Sequence, residues 1–171
     1  MGTINRKNEN SLTGERLRSI VHYDPETGVF TWTKSKKGIA KGGVAGCVHR
    51  FGYRLIGINN IKYRAHRLVW LYMTGSWPKE FLDHKNGIRD DNRFCNLREA
   101  TMSENNRNMS MRSDNNSGFR GVSKIKSSNK WQSNIHINSK QIYLGSFNTP
   151  QDAHEAYKIA AIKYHGEFAS Y

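Results

Sequence analysis

Asp83 and His84 stand side by side at the head of a polar stretch, DHKNGIRDDNRFCNLREATMSENNRN, that runs from Asp83 to Asn108. Asn96 follows His84 by twelve residues and Asn105 follows it by twenty-one. These are the side-chain types that one-metal hydrolysis of a phosphodiester requires. Water must lose a proton near neutral pH, and histidine is the side chain whose ordinary pKa suits that task. Charge on the phosphoryl group and the departing 3′ oxygen calls for an oxygen-ligated divalent ion. Carboxylate and amide oxygens are hard ligands of the kind Mg²⁺ takes while keeping several waters.

The chain around these residues must bring them together. Phe81-Leu82 suggests a strand ending at Asp83. Neighbours on a strand point to opposite faces, so Asp83 and His84 share a pocket only if the backbone turns there, and Asn86-Gly87 supplies a turn. Asn96-Leu97-Arg98 reads as the return strand, and Thr101 caps a short helix that carries Asn105. The local plan is β-loop-β-α.

Upstream, Leu17, Ile20 and Val21 lie at helical spacing in Thr13–His22, and Pro25 stops that helix. Asp24–Gly28 (DPETG) is a turn into a strand over Val29–Trp32. The Lys/Gly-rich run Lys34–Gly43 is either a solvated loop or a basic arm reaching along DNA. Tyr53–Ile58 and Ile61–Ala65 form a hairpin around Asn59-Asn60, a pair that tolerates left-handed backbone. Leu68–Met73 is a short apolar helix ended by Gly75, after which Trp77-Pro78 redirects the chain.

Residues 1–10 are polar and expected to fray, and 108–117 lack periodicity and read as a linker. Beyond them, Arg120–Lys126, Lys130–Ile137 and Gln141–Phe147 are three short strands. A helix follows with Thr149 as N-cap and Pro150 at its first position. Its stripe of Ala153, Ala156, Tyr157, Ala160, Ala161 and Tyr164 lets it lie close on a sheet, and Gly166 ends it. Strand alternation turns Trp131, Ile135, Ile137, Ile142 and Leu144 toward the helix and Gln132, Asn134, His136, Gln141 and Tyr143 away from it.

Composition bounds the partners. Lys and Arg number 27 against 14 Asp and Glu, a net charge of +13, which attracts polyanions and favours nucleic acid. An anionic membrane surface fits less well, because no long basic amphipathic helix is present. Hydrophobic residues are 36% of the 171 and mean hydropathy is −0.77, so small modules with thin cores are expected in place of one large core. No apolar run reaches the ~18 residues of a spanning helix and no signal-peptide core is seen, so a soluble, cytoplasmic protein is expected. Cys47 and Cys95 are isolated and read as buried, reduced thiols, with no zinc expected. His66 reads as packing at a helix start, and Asn92, Asn106 and Asn108 as turn or cap residues. His22, His49, His136, His154 and His165 show no metal-ligand spacing.

The Asp83-His84, Asn96 and Asn105 constellation resembles the HNH endonucleases, in the branch typified by phage and group I intron homing nucleases. The resemblance covers residues 50–109, with Asp24-Pro25-Glu26-Thr27-Gly28 and Ala65-His66-Arg67-Leu68-Val69-Trp70 like leaders attached to it. It implies His84 as general base, Asn96 as the brace of the loop, and Asp83 and Asn105 as ligands of one Mg²⁺, with Mn²⁺ an alternative. It also implies 5′-phosphate and 3′-hydroxyl ends. Arg98 and Arg107, near in sequence, could clamp a phosphate.

The C-terminal segment resembles the Apetala2/ethylene-response-factor DNA-binding domain through Arg120-Gly121-Val122, Lys130-Trp131, Tyr143-Leu144-Gly145-Ser146-Phe147 and the alanine-rich helix. That family lays its sheet in the major groove, which implies base or phosphate contacts for Arg120, Lys124, Lys126, Lys130, Gln132, Asn134, His136, Gln141 and Tyr143. Where plant domains carry arginines this chain has Ser123, His136 and Gln141, so their target sequence does not transfer.

The expectation is an α+β chain: a leader over 1–49, a ββα-metal nuclease module over 50–109, a linker over 110–117 and a βββα module over 118–171. It would be a Mg²⁺-dependent, site-selective endonuclease of double-stranded DNA, phage-encoded or mobile, acting as a nicking monomer unless it dimerises. The main rival is a non-catalytic DNA-binding regulator on a decayed nuclease scaffold. RNA binding trails, with Tyr143 as its single obvious stacking residue.

Overall fold

The computed structural model describes residues 9, 11–36, 38–108, 111, 114–138 and 140–171, so most of the start expected to fray and part of the expected linker lie outside the described residues. The chain is mixed α and β with small sheets, and divides into two compact units, Met1–Asn105 and Asn106–Tyr171.

The first unit opens with α1 (Gly14–Ile20), whose N-cap Thr13 accepts from the Arg16 amide. The helix stops two residues before His22. Val21–Asp24 is instead strand β1, paired antiparallel with β2 (Val29–Trp32) across the DPETG turn. Val21 and Tyr23 are buried from that strand while His22 faces out, so the β-branched and aromatic residues pack as a hairpin and override the helical spacing. A short edge strand, β3 (Cys47–Val48), pairs with β4 (Arg54–Ile58), which pairs with β5 (Ile61–Arg64). Asn59 and Asn60 make the β4–β5 turn with positive φ of 50° and 62°, as their side chains permit. Helix α2 (Ala65–Thr74) follows and ends on Gly75 in left-handed backbone.

One core gathers Leu17, Val21, Phe30, Ile56, Leu68 and Leu71 with Leu97 of the later hairpin, so it draws on residues both before and after 50. Arg67 of α2 is buried and paired with Glu9, Nε to Oε1 at 2.6 Å and Nη2 to Oε2 at 2.7 Å. Strands β6 (Phe81–His84) and β7 (Leu97–Ala100) pair antiparallel and lead into α3 (Met102–Arg107). Thr101 and Glu104 close that helix's start reciprocally: the Thr101 amide donates to Glu104 Oε2 at 2.8 Å, and the Glu104 amide donates to Thr101 Oγ1 at 3.3 Å. Cys47 and Cys95 are exposed, contrary to the expected burial. Cys47 lies on the sheet's edge strand, and Cys95 in the 3₁₀ turn Phe94–Asn96 ahead of β7.

The second unit is a three-stranded antiparallel sheet, β8 (Val122–Lys124), β9 (Trp131–Ile137) and β10 (Lys140–Phe147), with β9 central, followed by α4 (Pro150–His165). Thr149 caps α4 by accepting from the Asp152 amide, with Pro150 in the first turn. Ala153, Tyr157, Ala160 and Ala161 are buried, but Tyr164 is exposed, so the stripe ends one turn short. Leu144 packs into the cluster with Ile135 and Ile137, while Ile142 remains 38% exposed on edge strand β10. The register slips between Tyr143 and Gly145, a bulge that gives Leu144 its place.

Gly121 has φ 72°, and a Cβ there would overlap the Tyr157 ring. Gly121→Ala is expected to cost about 2–5 kcal/mol, from left-handed strain plus overpacking. Urea denaturation followed by Trp131 fluorescence should register the loss, and an unchanged midpoint would contradict this packing.

Candidate active site and nucleic-acid interface

His84 ends β6, and the backbone leaves the hairpin directly after it: the Gly87 amide donates to His84 O at 2.8 Å and the Lys85 amide to Asn96 O at 2.9 Å. The connection over 85–96 is polar and partly buried, so its groups must bond one another. Asn96 does most of this. Its Oδ1 accepts from the Asn86 amide at 3.1 Å, and its Nδ2 donates to Asn86 Oδ1 at 3.0 Å and Asp91 O at 2.8 Å. Arg93, bonded through Nε at 2.8 Å, holds the Asp91 carboxyl well below the usual range, and Asn86 Nδ2 donates to the same side chain at 2.7 Å.

The His84 ring is 5% exposed and lies edge-on to His66, with centroids 5.0 Å apart, and 6.1 Å from the Tyr53 ring. Its Nε2 is 3.4 Å from Asn92 Oδ1. Asn92 Nδ2 is committed to Asp90, at 3.0 Å from its carbonyl and 3.3 Å from Oδ1, which fixes which amide atom faces the imidazole. Since an amide oxygen only accepts, this contact favours a neutral His84 with its hydrogen on Nε2 and its lone pair on Nδ1. Burial lowers the His84 pKa from its ordinary value, with the Asn92 bond acting in the opposite direction. His66, fully enclosed at the start of α2, is pushed well below its ordinary value, also by burial.

Asp83 is buried opposite Arg98 in the β6–β7 register, and its Oδ2 accepts from Arg98 Nε at 3.0 Å and Nη2 at 2.8 Å. Arg98 therefore holds a carboxylate in this structure. Asn105 is half-buried in α3, and its side-chain amide makes no hydrogen bond among the described residues. Among the described residues no group of three His, Cys, Asp or Glu side chains is gathered to hold a metal ion. A carboxylate and an amide oxygen nevertheless fit the sparse oxygen donor set of a cation that keeps most of its waters.

The N-terminal hairpin supports this loop, which the sequence did not reveal. Tyr23 Oη donates to Asn92 O at 2.9 Å and accepts from the Phe94 amide at 3.0 Å, bridging to both sides of Arg93. Gly28, at φ 73°, lies against the Asn92–Arg93 backbone so closely that a Cβ would overlap it. Asn92 itself, 1% exposed, is more than a turn residue because it touches His84. The Asp90-Asp91-Asn92-Arg93 run signals polarity but not which side chain is turned inward.

In the second unit, the register sets Asn134 opposite Tyr143, His136 opposite Gln141 and Gln132 opposite Ser146, so these polar residues share one face. Lys124 pairs with Trp131 on the other face, with Nζ 5.9 Å from the indole centroid. Lys126 and Lys130 are exposed at the β8–β9 turn. Arg120 Nη1 donates to Arg107 O at 2.9 Å.

Comparison with known proteins gives a class to the first of these regions: residues 63–107, which include Asp83, His84, Asn96 and Asn105, match the family model described as HNH endonuclease. The chain is also similar to AP2-like ethylene-responsive transcription factors. It is 44% identical over 50 residues to AIL5 and to PLT2 of Arabidopsis thaliana, covering 28% of this chain and 9% of each of them. It is likewise 44% identical over 50 residues to APETALA2-like protein 2 of Oryza sativa subsp. japonica, covering 29% of this chain and 12% of that protein. The chain thus spans about a tenth of the length of the curated relatives it matches.

Tyr23→Phe would strand the Asn92 carbonyl and the Phe94 amide, at a cost of about 1–3 kcal/mol. Burial pushes the Tyr23 pKa up to about 12. The folded state thus favours the neutral phenol, so this contribution is complete below the ordinary pKa of about 10 and is lost as pH rises through about 12. Urea midpoints of wild type and Tyr23→Phe should differ at pH 8 and converge above pH 10, and equal midpoints at pH 8 would contradict the bridge.

Proposed function

We propose that this chain is a metal-dependent endonuclease of double-stranded DNA, with the first unit cutting and the second holding the duplex. The observation that carries the reading is His84, a buried imidazole oriented by Asn92 within the stretch that matches HNH endonucleases. Its Nδ1 would take the proton of the attacking water, and burial keeps that nitrogen unprotonated near neutral pH. Asn96 keeps the loop, and so the imidazole, in one orientation. Asp83 and Asn105 would hold Mg²⁺ or Mn²⁺. A divalent cation bound there supplies charge stabilisation to the phosphoryl group and the departing 3′ oxygen. One such site per chain makes a nick the natural product of a monomer.

We assign the 50-residue likeness to AP2-like factors to the second unit, because that unit carries Arg120-Gly121-Val122 and Tyr143-Leu144-Gly145. Gln132, Asn134, His136, Gln141 and Tyr143 would then meet base edges, with Arg107, Arg120, Lys126 and Lys130 on phosphates. Lys124, on the opposite face from Gln132, could reach only a flanking phosphate.

The Asp83–Arg98 pair favours one rival, a DNA-binding protein on a decayed nuclease scaffold, because a cation at Asp83 would compete with the guanidinium. Supercoiled plasmid decides between them. It should relax in Mg²⁺, and His84→Ala or Asn105→Ala should slow this by roughly 100-fold or more, with EDTA abolishing it. Relaxation that persists in EDTA, or equally in His84→Ala, would contradict the mechanism. DNA binding without relaxation would support the rival.

A further inference from the structure

Tyr53 is the centre of a basic cluster of which the mechanism above uses only His84. The guanidinium carbons of Arg64 and Arg89 lie 4.7 Å and 5.2 Å from its ring centroid, and the His66 and His84 rings lie 5.4 Å and 6.1 Å from it. Arg89 Nη1 donates to Phe51 O at 2.9 Å, which ties it to the β3–β4 loop. On that loop Arg50 stacks on the exposed Phe51 ring, 4.7 Å from its centroid.

Four other arginines of this unit are neutralised by carboxylates. Arg54, Arg67, Arg93 and Arg98 are paired with Asp90, Glu9, Asp91 and Asp83. Among the described residues, neither Arg64 nor Arg89 pairs with a carboxylate, although Asp90 is Arg89's own neighbour and bonds Arg54 instead. Stacking engages the face of a guanidinium and leaves its N–H edge to bind an anion in its plane. Two unneutralised cations on one ring repel each other. An anion between them would remove that cost. A backbone phosphate is the fitting anion, because the cluster adjoins the imidazole that would deprotonate the water attacking a phosphodiester.

We propose that Arg64 and Arg89, stacked on Tyr53, form a clamp for the DNA phosphates flanking the bond to be cut. The proposal rests on the nuclease reading for its position beside His84, but phosphate binding can be measured without cutting. The full-length chain is titrated in EDTA with a short fluorescent duplex of arbitrary sequence, between about 50 and 200 mM salt, where phosphate contacts dominate affinity. Arg64→Gln/Arg89→Gln should weaken binding roughly tenfold and make the slope of log affinity against log salt shallower by about 2, about 1 per phosphate lost. Arg64→Lys/Arg89→Lys should restore the slope while recovering only part of the affinity.

An unchanged slope in the Gln pair overturns the clamp, and so does a Lys pair that binds as the Gln pair does. Plasmid relaxation in Mg²⁺ separates the two readings. A wild type that never cuts but loses slope in the Gln pair keeps the clamp and sinks the nuclease. A Gln pair that cuts and binds as wild type does the reverse.

Discussion

A buried imidazole must find a hydrogen-bond partner inside the protein, and the first unit is organised around meeting that demand for His84. The partner is Asn92, itself enclosed, which fixes the ring only because Asp90 takes its amide hydrogens. Each step removes a freedom: Asp90 sets Asn92, Asn92 sets the imidazole, and Asn96 keeps the loop from swinging. A polar loop tucked into a fold would be expensive if any of these groups lost its partner. The N-terminal hairpin then acts as more than a leader. Tyr23 and Gly28 press on the loop's backbone on either side of Arg93, coupling the hydrophobic core beneath Phe30 to the geometry at His84.

Arginine is used in two ways in this unit. Where it is paired with Glu9, Asp83, Asp90 or Asp91 it fastens segments distant or near in sequence, and the pairing satisfies both charges. Around Tyr53 the same side chain is held by ring faces and a backbone carbonyl, which order the guanidinium without neutralising it. The net charge of +13 is therefore not spread as a uniform solvated coat. In the second unit the sheet's outer face is mostly neutral amide, imidazole and phenol. That surface suits reading donors and acceptors better than attracting charge at a distance.

Local signals in the sequence carried over wherever the cause is local. Asn59-Asn60 turns because those side chains tolerate positive φ, Gly75 ends α2 for the related reason that it lacks a Cβ, and Thr149-Pro150 starts α4 as a cap and a pre-set φ. The strand–loop–strand–helix order around Asp83 and Asn105 was legible from turn residues and short apolar runs. What failed depended on partners far along the chain. Val21 looks helical beside Leu17 until it pairs with Trp32, and Asn92 looks like a turn residue until Tyr23 and His84 enclose it. Arg98 reads as a phosphate clamp because its carboxylate partner lies across the β6–β7 ladder. Tyr53, in a run read only as a hairpin strand, gave no sign that four basic side chains would surround it.

The orientation of His84 is the most exposed point of this account, and it can be observed directly. Nitrogen-15 spectra of the imidazoles in the full-length protein, with His84→Gln to assign the resonance, report which ring nitrogen carries hydrogen. At neutral pH the account requires a neutral His84 with hydrogen on Nε2 and the lone pair on Nδ1. A His84 protonated on both nitrogens, or carrying its hydrogen on Nδ1, would contradict it.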